Sequence, residues 1–268
     1  MPITTEDADF QLLEALRHNR RKREQRGELL VEGVQAINRA LAAGWPVRAA
    51  LVPDGVAPSA WAEGVREQVG EVIEVRTDLF ARLTERTEPP ELLLVARIPP
   101  PDLGRVPRGP DTVVVVLDRP ARPGNLGTII RTADALGATA VLTIGHGAHL
   151  YDPTTVRASV GSLFALPVVP LASTQELVDW VAAWRADAGV TVYATDERGD
   201  VELRPGTALA RPAVLLLGTE RNGLARALRD LADHTLAIPI TGSASSLNVA
   251  VAHGIALHAL MTTVTPHG

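Results

Sequence analysis

Along the chain, short apolar runs alternate with stretches that place an apolar residue every three or four positions. These are the two periods that separate strands from helices. Residues 11–26 begin as a helix with Leu12, Leu13 and Leu16 on one side. A short strand over 29–31 leads into a helix whose Val34, Ile37 and Leu41 are expected to face inward. Strands follow at 47–52 and 72–75, with a helix over 60–69 between them. A short helix over 77–83, capped by Thr77 or Asp78, and the run ELLLVARI at 91–98 complete an α/β unit predicted over residues 1–98.

PPPDLGRVPRGP at 99–110 has few apolar anchors and predicts a linker stiffened by its prolines. A second domain is therefore expected over 111–268. It opens with TVVVVL at 112–117, a β-branched run suited to a parallel strand covered on both faces. Strands at 140–144, 191–194 and 213–217 alternate with helices at 126–136, 154–159, 174–188 and 226–231. That alternation predicts a parallel sheet with helices on both faces. LAIPI at 236–240 suits a buried strand ending at Pro239. After a small polar loop, Leu247, Val251, Gly254, Ile255 and His258 fall at helical spacing, with Ser245 or Ser246 available as the cap. A polar loop between a strand end and a helix start is where open α/β sheets bind ligands. The same pattern also describes an ordinary strand–loop–helix.

Composition narrows the function classes. With 46% hydrophobic residues the chain has ample material for a core, and with no cysteine it has neither disulfides nor thiolate metal sites. Its 7 histidines show no ligand spacing with carboxylates or one another, so no metal is expected. The sequence holds no apolar run of about 18 residues, so no membrane span is expected. MPITTEDADF lacks the apolar core of a signal peptide, which predicts a cytoplasmic protein. A net charge of −5 argues against a chain that coats nucleic acid along its whole surface. Against that background Arg17, Arg20, Arg21, Lys22, Arg23 and Arg26 concentrate positive charge, either as a solvated helix end or as an RNA-binding patch for phosphates. No G-x-G-x-x-G follows a strand, so the common dinucleotide fingerprint is missing.

Three further stretches each follow an apolar run. They are Pro123-Gly124-Asn125-Leu126-Gly127-Thr128-Ile129-Ile130-Arg131-Thr132-Ala133, then Gly218-Thr219-Glu220-Arg221-Asn222-Gly223, then Ile238-Pro239 with Ser246-Leu247-Asn248. In this order they resemble the motifs of the SpoU/TrmH branch of the SPOUT RNA methyltransferases. Arg21-Lys22-Arg23-Glu24 followed by Leu30-Val31-Glu32-Gly33 resembles the start of the amino-terminal substrate-binding domain of many such proteins, a domain similar to small RNA-binding ribosomal proteins. The resemblance implies a parallel-sheet α/β methyltransferase domain whose carboxy-terminal chain forms a trefoil knot, which periodicity does not reveal. It implies S-adenosyl-L-methionine as cofactor, held bent in the knot loops, and RNA ribose 2′-O-methylation by a homodimer joined through the carboxy-terminal helix. Ribosomal RNA is the expected substrate, because the extra domain is common in the ribosomal RNA enzymes of the family. Transfer RNA is the alternative, and a non-catalytic RNA-binding or ribosome-assembly protein is the alternative of another class. Some rRNA-modifying relatives confer resistance to ribosome-targeting antibiotics, an association that no residue here indicates.

Carried over residue by residue, the resemblance implies a catalytic set of Arg131, Asn125, Glu220, Ser246 and Asn248. It implies cofactor binding by Thr195, Gly218, Ile238 and Leu247, with Asp196 as a neighbour, and an RNA-facing Arg157 beside Ser159 in RAS-x-G. The family proposal makes Arg131 the activator of the ribose 2′-hydroxyl. A guanidinium with a pKa above about 12 is a poor base at neutral pH. Orienting the hydroxyl while pairing with the adjacent phosphate is the role expected here. Glu220 is expected to bond Arg131 or backbone N–H groups, and Glu32 and Gly33 to be structural. Two departures stand out: Arg122 where many relatives carry aspartate, and Ser245 where many carry glutamate. Both leave the core residues in place and the RNA contacts open.

Overall fold

Asp7 starts the first helix, its carboxylate accepting hydrogen bonds from the Asp9 and Phe10 amides. In the computed structural model, which describes residues 2–219 and 223–262, α1 runs Ala8–His18 and buries Phe10, Leu13 and Leu16. Asn19 caps α2, Arg20–Arg26, which Gly27 ends in the left-handed conformation that glycine adopts without strain. There follow β1 Glu28–Glu32, α3 Val34–Ala42, β2 Val47–Pro53, α4 Ala60–Gln68, β3 Val72–Val75, α5 Thr77–Arg82 and β4 Leu93–Arg97. The sheet order is β1-β4-β2-β3, with only β2 and β3 parallel. Phe10, Leu13 and Leu16 pack with Leu79 and Phe80 of α5 over one sheet face. Two details differ from expectation. Val34 is 51% exposed while Ala36, Ile37 and Ala40 are buried, because α3 presents the side centred on Ile37. The residue before α5 is Arg76, with no side-chain cap from Thr77 or Asp78.

The rest of the chain comprises β5 Val113–Asp118, α6 Pro123–Leu136, β6 Ala140–Ile144, α7 Pro153–Ser159, α8 Ser162–Ala165 and β7 Val168–Leu171. It continues with α9 Thr174–Ala188, β8 Thr191–Thr195, β9 Val201–Glu202, β10 Ala213–Leu217, α10 Arg226–Leu231, β11 His234–Ala237 and α11 Val249–Thr262. The chain forms two units: Met1–Pro100 with Tyr151–Ala165, and Pro101–Leu150 with Leu166–Gly268. Thus α7 and α8 belong with the first unit. There Gly161 lies so close to α3 that a Cβ would sit 3.0 Å from the Gln35 carbonyl oxygen.

The second unit is a seven-stranded sheet of order β7-β6-β5-β10-β8-β11-β9 with every described pairing parallel. β5 and β10 are buried at every position, as their unbroken apolar runs require. Val114, Val116, Val214 and Leu216 on one face pack against Leu177, Trp180, Val181 and Trp184 of α9. The proline-rich stretch after β4 is anchored to this unit, since Val106 is buried in the same core and Arg108 lies over the Trp180 ring. α6 begins at Pro123, earlier than the apolar spacing suggests, because proline at the first helical position loses no hydrogen bond. β11 ends at Ala237, two residues short of Pro239.

α11 packs on α6 and turns in Ala250, His253, Ala256, Leu257 and Leu260. The stripe of Val251, Ile255 and His258 faces out. His253 is fully buried, and neither ring nitrogen has a hydrogen-bond partner among the described residues. Burial pushes its pKa from 6.5 down to about 4, opposed in part by the Ile129 backbone. Between these values the unfolded chain binds a proton that the folded chain refuses, so stability rises with pH across this window and is complete above it. Denaturant unfolding at pH 4.5 and 7 is expected to show this loss, on the order of 3 kcal/mol at most. His253→Leu should flatten the slope, and an unchanged slope would remove His253 as its source.

Candidate active site

β10, β8 and β11 run side by side and end together, at the carboxy edge where open α/β sheets form ligand crevices. Gly218 after β10, Thr195 closing β8 and Ile238 after β11 line one cavity of about 360 Å³, joined by Ser246 and Leu247 from the loop before α11. That volume falls in the small-ligand range of roughly 300–1,000 Å³. Leu236, Ile238, Leu247 and Ala252 make apolar wall, while exposed Asp196, Glu197 and Arg229 bring both signs of charge. The four cofactor-binding residues expected from the sequence are therefore brought together. Glu197 and Arg229 were not expected, and no local pattern in the sequence marks them; Thr219 lies in the second motif but was given no role.

The wall at Gly218 is made by backbone. A Cβ there would lie 2.3 Å from the Gly223 carbonyl carbon and 2.4 Å from the Leu224 nitrogen. Thr219 and Gly223 exchange N–H···O bonds of 3.1 and 3.0 Å, closing the loop on itself. Glycine at 218 is thus required first by the crossing of its own chain, and only through that by a ligand. Glu220 belongs to the same loop and lies outside the described residues.

Asn125 sits in the first turn of α6, and the Asn248 side-chain amide donates to its Oδ1 over 3.4 Å. Asn248 Oδ1 accepts from the Ala250 amide at 2.9 Å. Asn248, and neither Ser245 nor Ser246, is therefore the residue whose side chain caps α11. Asn125 lines a narrower cleft with Asp118 and Arg122, and that cleft shares Gly218, Thr219 and Val249 with the larger cavity. Asp118 is a residue the sequence reading missed; its signal was a lone carboxylate ending a run of β-branched residues.

Arg131 stands apart. Six residues at about 100° each set it roughly 120° around α6 from Asn125, on the solvent face. It lines neither the cavity nor the cleft. Within this chain the structure unites Asn125, Asn248 and Ser246 with the residues expected to bind the cofactor, and leaves Arg131 facing outward.

In the first unit the basic run divides. Arg21, Lys22 and Arg26 are exposed, and Arg20 pairs with Glu24 at 2.7 Å. Arg23 is a correction: at 2% exposure it donates to the Leu16 and Arg17 carbonyls, both at 2.9 Å, and pairs with Asp152 at 3.5 Å. Burial lowers its pKa and Asp152 opposes that shift. This guanidinium holds helices together and is not free for phosphate. Arg17 is half-buried and donates to the Arg82 carbonyl. In RAS-x-G, Ser159 is buried and donates to the Val156 carbonyl, while exposed Arg157 pairs with Glu85 at 2.9 Å. Among the described residues no cluster of histidine, aspartate and glutamate is arranged to hold a metal ion.

Comparison with known proteins places this geometry. The profile of the SpoU rRNA Methylase family matches residues 112–258, and that of the SpoU L30e-like domain matches residues 7–94. A 23S rRNA (uridine(2479)-2′-O)-methyltransferase of Streptomyces viridochromogenes is 46% identical over 252 residues, covering 92% of this chain and 87% of that protein. The 23S rRNA (guanosine(2553)-2′-O)-methyltransferase RlmP of Bacillus subtilis is 31% identical, covering 91% and 92%. The crystal structure of the SpoU methyltransferase AviRb from Streptomyces viridochromogenes, in complex with the cofactor AdoMet, superposes with a TM-score of 0.90 at 44% identity, covering 95% of this chain and 97% of that one.

The crossing at Gly218 makes a direct prediction. Gly218→Ala forces backbone apart and is expected to weaken S-adenosylmethionine binding by about ten-fold or more, measured by calorimetric titration. Gly124→Ala is the control, since a Cβ there meets nothing within 4 Å. Equal affinity in the two variants would remove the crossing from the account of the cavity.

Proposed function

The chain belongs to the SpoU rRNA methylase family, and from that premise we propose that it transfers the methyl group of S-adenosylmethionine to a ribose 2′-hydroxyl of 23S ribosomal RNA. One observation carries this reading: Asn125, Gly218 and Ser246 to Asn248, from motifs far apart in sequence, meet around one cavity and its adjoining cleft. The residues fit the cofactor by kind. Ile238 and Leu247 offer apolar surface to the adenine, with backbone groups beside them for its polar edge. Asp196 and Glu197 complement the ammonium and sulfonium charges, and Arg229 the carboxylate. When bound, S-adenosylmethionine supplies a methyl group made electrophilic by its cationic sulfur.

The work left to the chain is positioning, which by itself lowers a transfer barrier substantially. Arg131, solvent-facing and cationic, pairs with the RNA phosphate and orients the 2′-hydroxyl. Asn125 and Asn248 hold the first and third motifs together, Ser246 bonds the ribose, and the catalytic role expected of Glu220 falls on a residue outside those described. Exposed Arg20, Arg21, Lys22 and Arg26, with Arg17 and Arg157 beside them, make the first unit the RNA-binding one. In sequence the proposed domains are 1–98, the linker 99–110 and 111–268, with Tyr151–Ala165 of the last stretch packed into the first unit.

The enzyme is a homodimer through α11, whose outward Val251 and Ile255 are 51% and 40% exposed. A contiguous apolar helix face of this kind calls for a cover, and a second copy of the helix supplies it next to Arg131. The return of α11 onto α6 supports a trefoil-knotted carboxy-terminal chain. No described helix is long and apolar enough to cross a membrane, and the protein works in the cytoplasm on ribosomal RNA.

Labelled methyl transfer to 23S rRNA and, separately, to transfer RNA tests the reading. The expected outcome is label in 23S rRNA at an alkali-resistant site, with a uridine examined first because the 46%-identical relative is named for one. Label confined to transfer RNA would move the substrate. Arg131→Ala is expected to lower transfer by about a hundred-fold or more with RNA affinity little changed; undiminished transfer would end the role given to Arg131.

A further inference from the structure

We propose that Asp118 is a positioning residue for cofactor binding: it clamps Ala225, and so holds the Gly223–Leu224 backbone against Gly218, where both glycines line the cavity. The proposal rests on the function given above. Val113, Val114, Val115, Val116 and Leu117 are buried and apolar, and Asp118 ends the strand at 3% exposure. A carboxylate in that place is costly unless it is paired and hydrogen-bonded. Both oxygens are engaged. Arg119 Nε reaches Oδ1 and Arg119 Nη2 reaches Oδ2, each at 2.8 Å, and the Ala225 amide donates to Oδ2 at 2.8 Å.

The partner choice points to a purpose beyond neutralising a charge. Arg119 takes a φ of 47° to fold its guanidinium back onto the preceding residue, a conformation unfavourable for a side chain with a Cβ. Its own amide is fixed to the Ile144 carbonyl at 2.8 Å, at the end of the neighbouring strand β6. The arginine is thereby held as a permanent counter-charge, and its pKa is raised by the bond to Asp118. The second oxygen then remains available for one backbone amide, 107 residues away in sequence.

That amide matters because of where it lies. Ala225 immediately precedes α10 and has no side chain with which to cap it. It follows Gly223 and Leu224, whose backbone is pressed over Gly218. Thr219 and Gly223, which close on each other through their backbones, both line the cavity. β10 holds the loop at its start, and Asp118 holds it at its end. Asp118 also borders the cleft beside Asn125, which suggests a general base. Its bonds to the Arg119 guanidinium and the Ala225 amide make it a structural carboxylate instead, and the pH–rate profile separates the two roles.

The test uses the full-length protein. S-adenosylmethionine is titrated into wild type, Asp118→Ala and Asp118→Asn, and kcat is measured with 23S rRNA at saturating cofactor. Asp118→Ala is expected to weaken cofactor binding by roughly ten-fold or more, with kcat within about three-fold of wild type. Asp118→Asn keeps an acceptor for Ala225 and should recover most of the affinity, with the shape of its pH–rate profile unchanged. A folded Asp118→Ala protein that binds cofactor as wild type does would overturn the proposal. So would loss of kcat at unchanged affinity, or a profile missing one limb in Asp118→Asn, which would make Asp118 the base. Should Asp118→Ala not fold, Arg119→Met leaves the carboxylate and removes its counter-charge; several-fold weaker binding is expected, and unchanged binding overturns the clamp. Wild-type protein that binds cofactor yet methylates no RNA would defeat the functional reading while leaving the clamp test intact.

Discussion

At Gly218 two stretches of the same chain pass so closely that there is no room for a methyl group between them. The same constraint recurs at Gly199, where a Cβ would lie 2.3 Å from the Thr235 carbonyl oxygen and 2.7 Å from the Ala237 nitrogen. The Gly218 contact lies at the carboxy edge of the sheet, where Gly218 lines the cavity. Part of the cavity wall is therefore set by backbone packed on backbone, beside the side chains of Leu236, Ile238 and Leu247. Such walls present N–H and C=O groups in fixed positions, which suits recognition of a heterocycle edge. The cost is that a small change at either glycine moves a whole loop.

Polar residues around these crossings serve more than one partner. Asn248 caps α11 with its oxygen and reaches Asn125 with its amide, so the third motif cannot shift without disturbing the first. Asp118 does the equivalent for the second, joining β5 to the loop after β10 through a single amide. The first and third motifs are thus joined directly, and the second is held from its flank, where parallel strands end. Arg131 lies outside these bonds, on a solvent face of α6, and its placement suits a group whose partners are RNA and a second subunit.

Charge in the first unit is likewise divided between structure and surface. Arg23 is drawn in to satisfy carbonyls at the end of α1 and to pair with Asp152, which itself caps α7 through the Thr154 amide. Its neighbours Arg21, Lys22 and Arg26 remain outside. The RAS-x-G element divides too: Ser159 and Gly161 are packing residues, while Arg157 and Val160 face solvent.

Much of this was legible in the amino-acid sequence by itself. The unbroken apolar runs of β5 and β10 announced buried parallel strands, and the alternation with helices announced the layered sheet. The motif residues Gly218, Ile238 and Leu247, with Thr195 at the end of its strand, pointed to the cavity they line. These features were readable because burial on both faces and a required glycine leave local marks. Tertiary structure alone decided the rest. A run of six basic residues looks the same whether or not one of them is buried, so Arg23 needed its distant partner Asp152 to be seen. α11 is apolar nearly all round, and periodicity cannot tell which side turns in; contact with α6 chose Ala250, Leu257 and Leu260 and left Val251 and Ile255 outside. Asp118 was invisible for the same reason: a carboxylate's role depends on which amide meets it, and that amide lies 107 residues away.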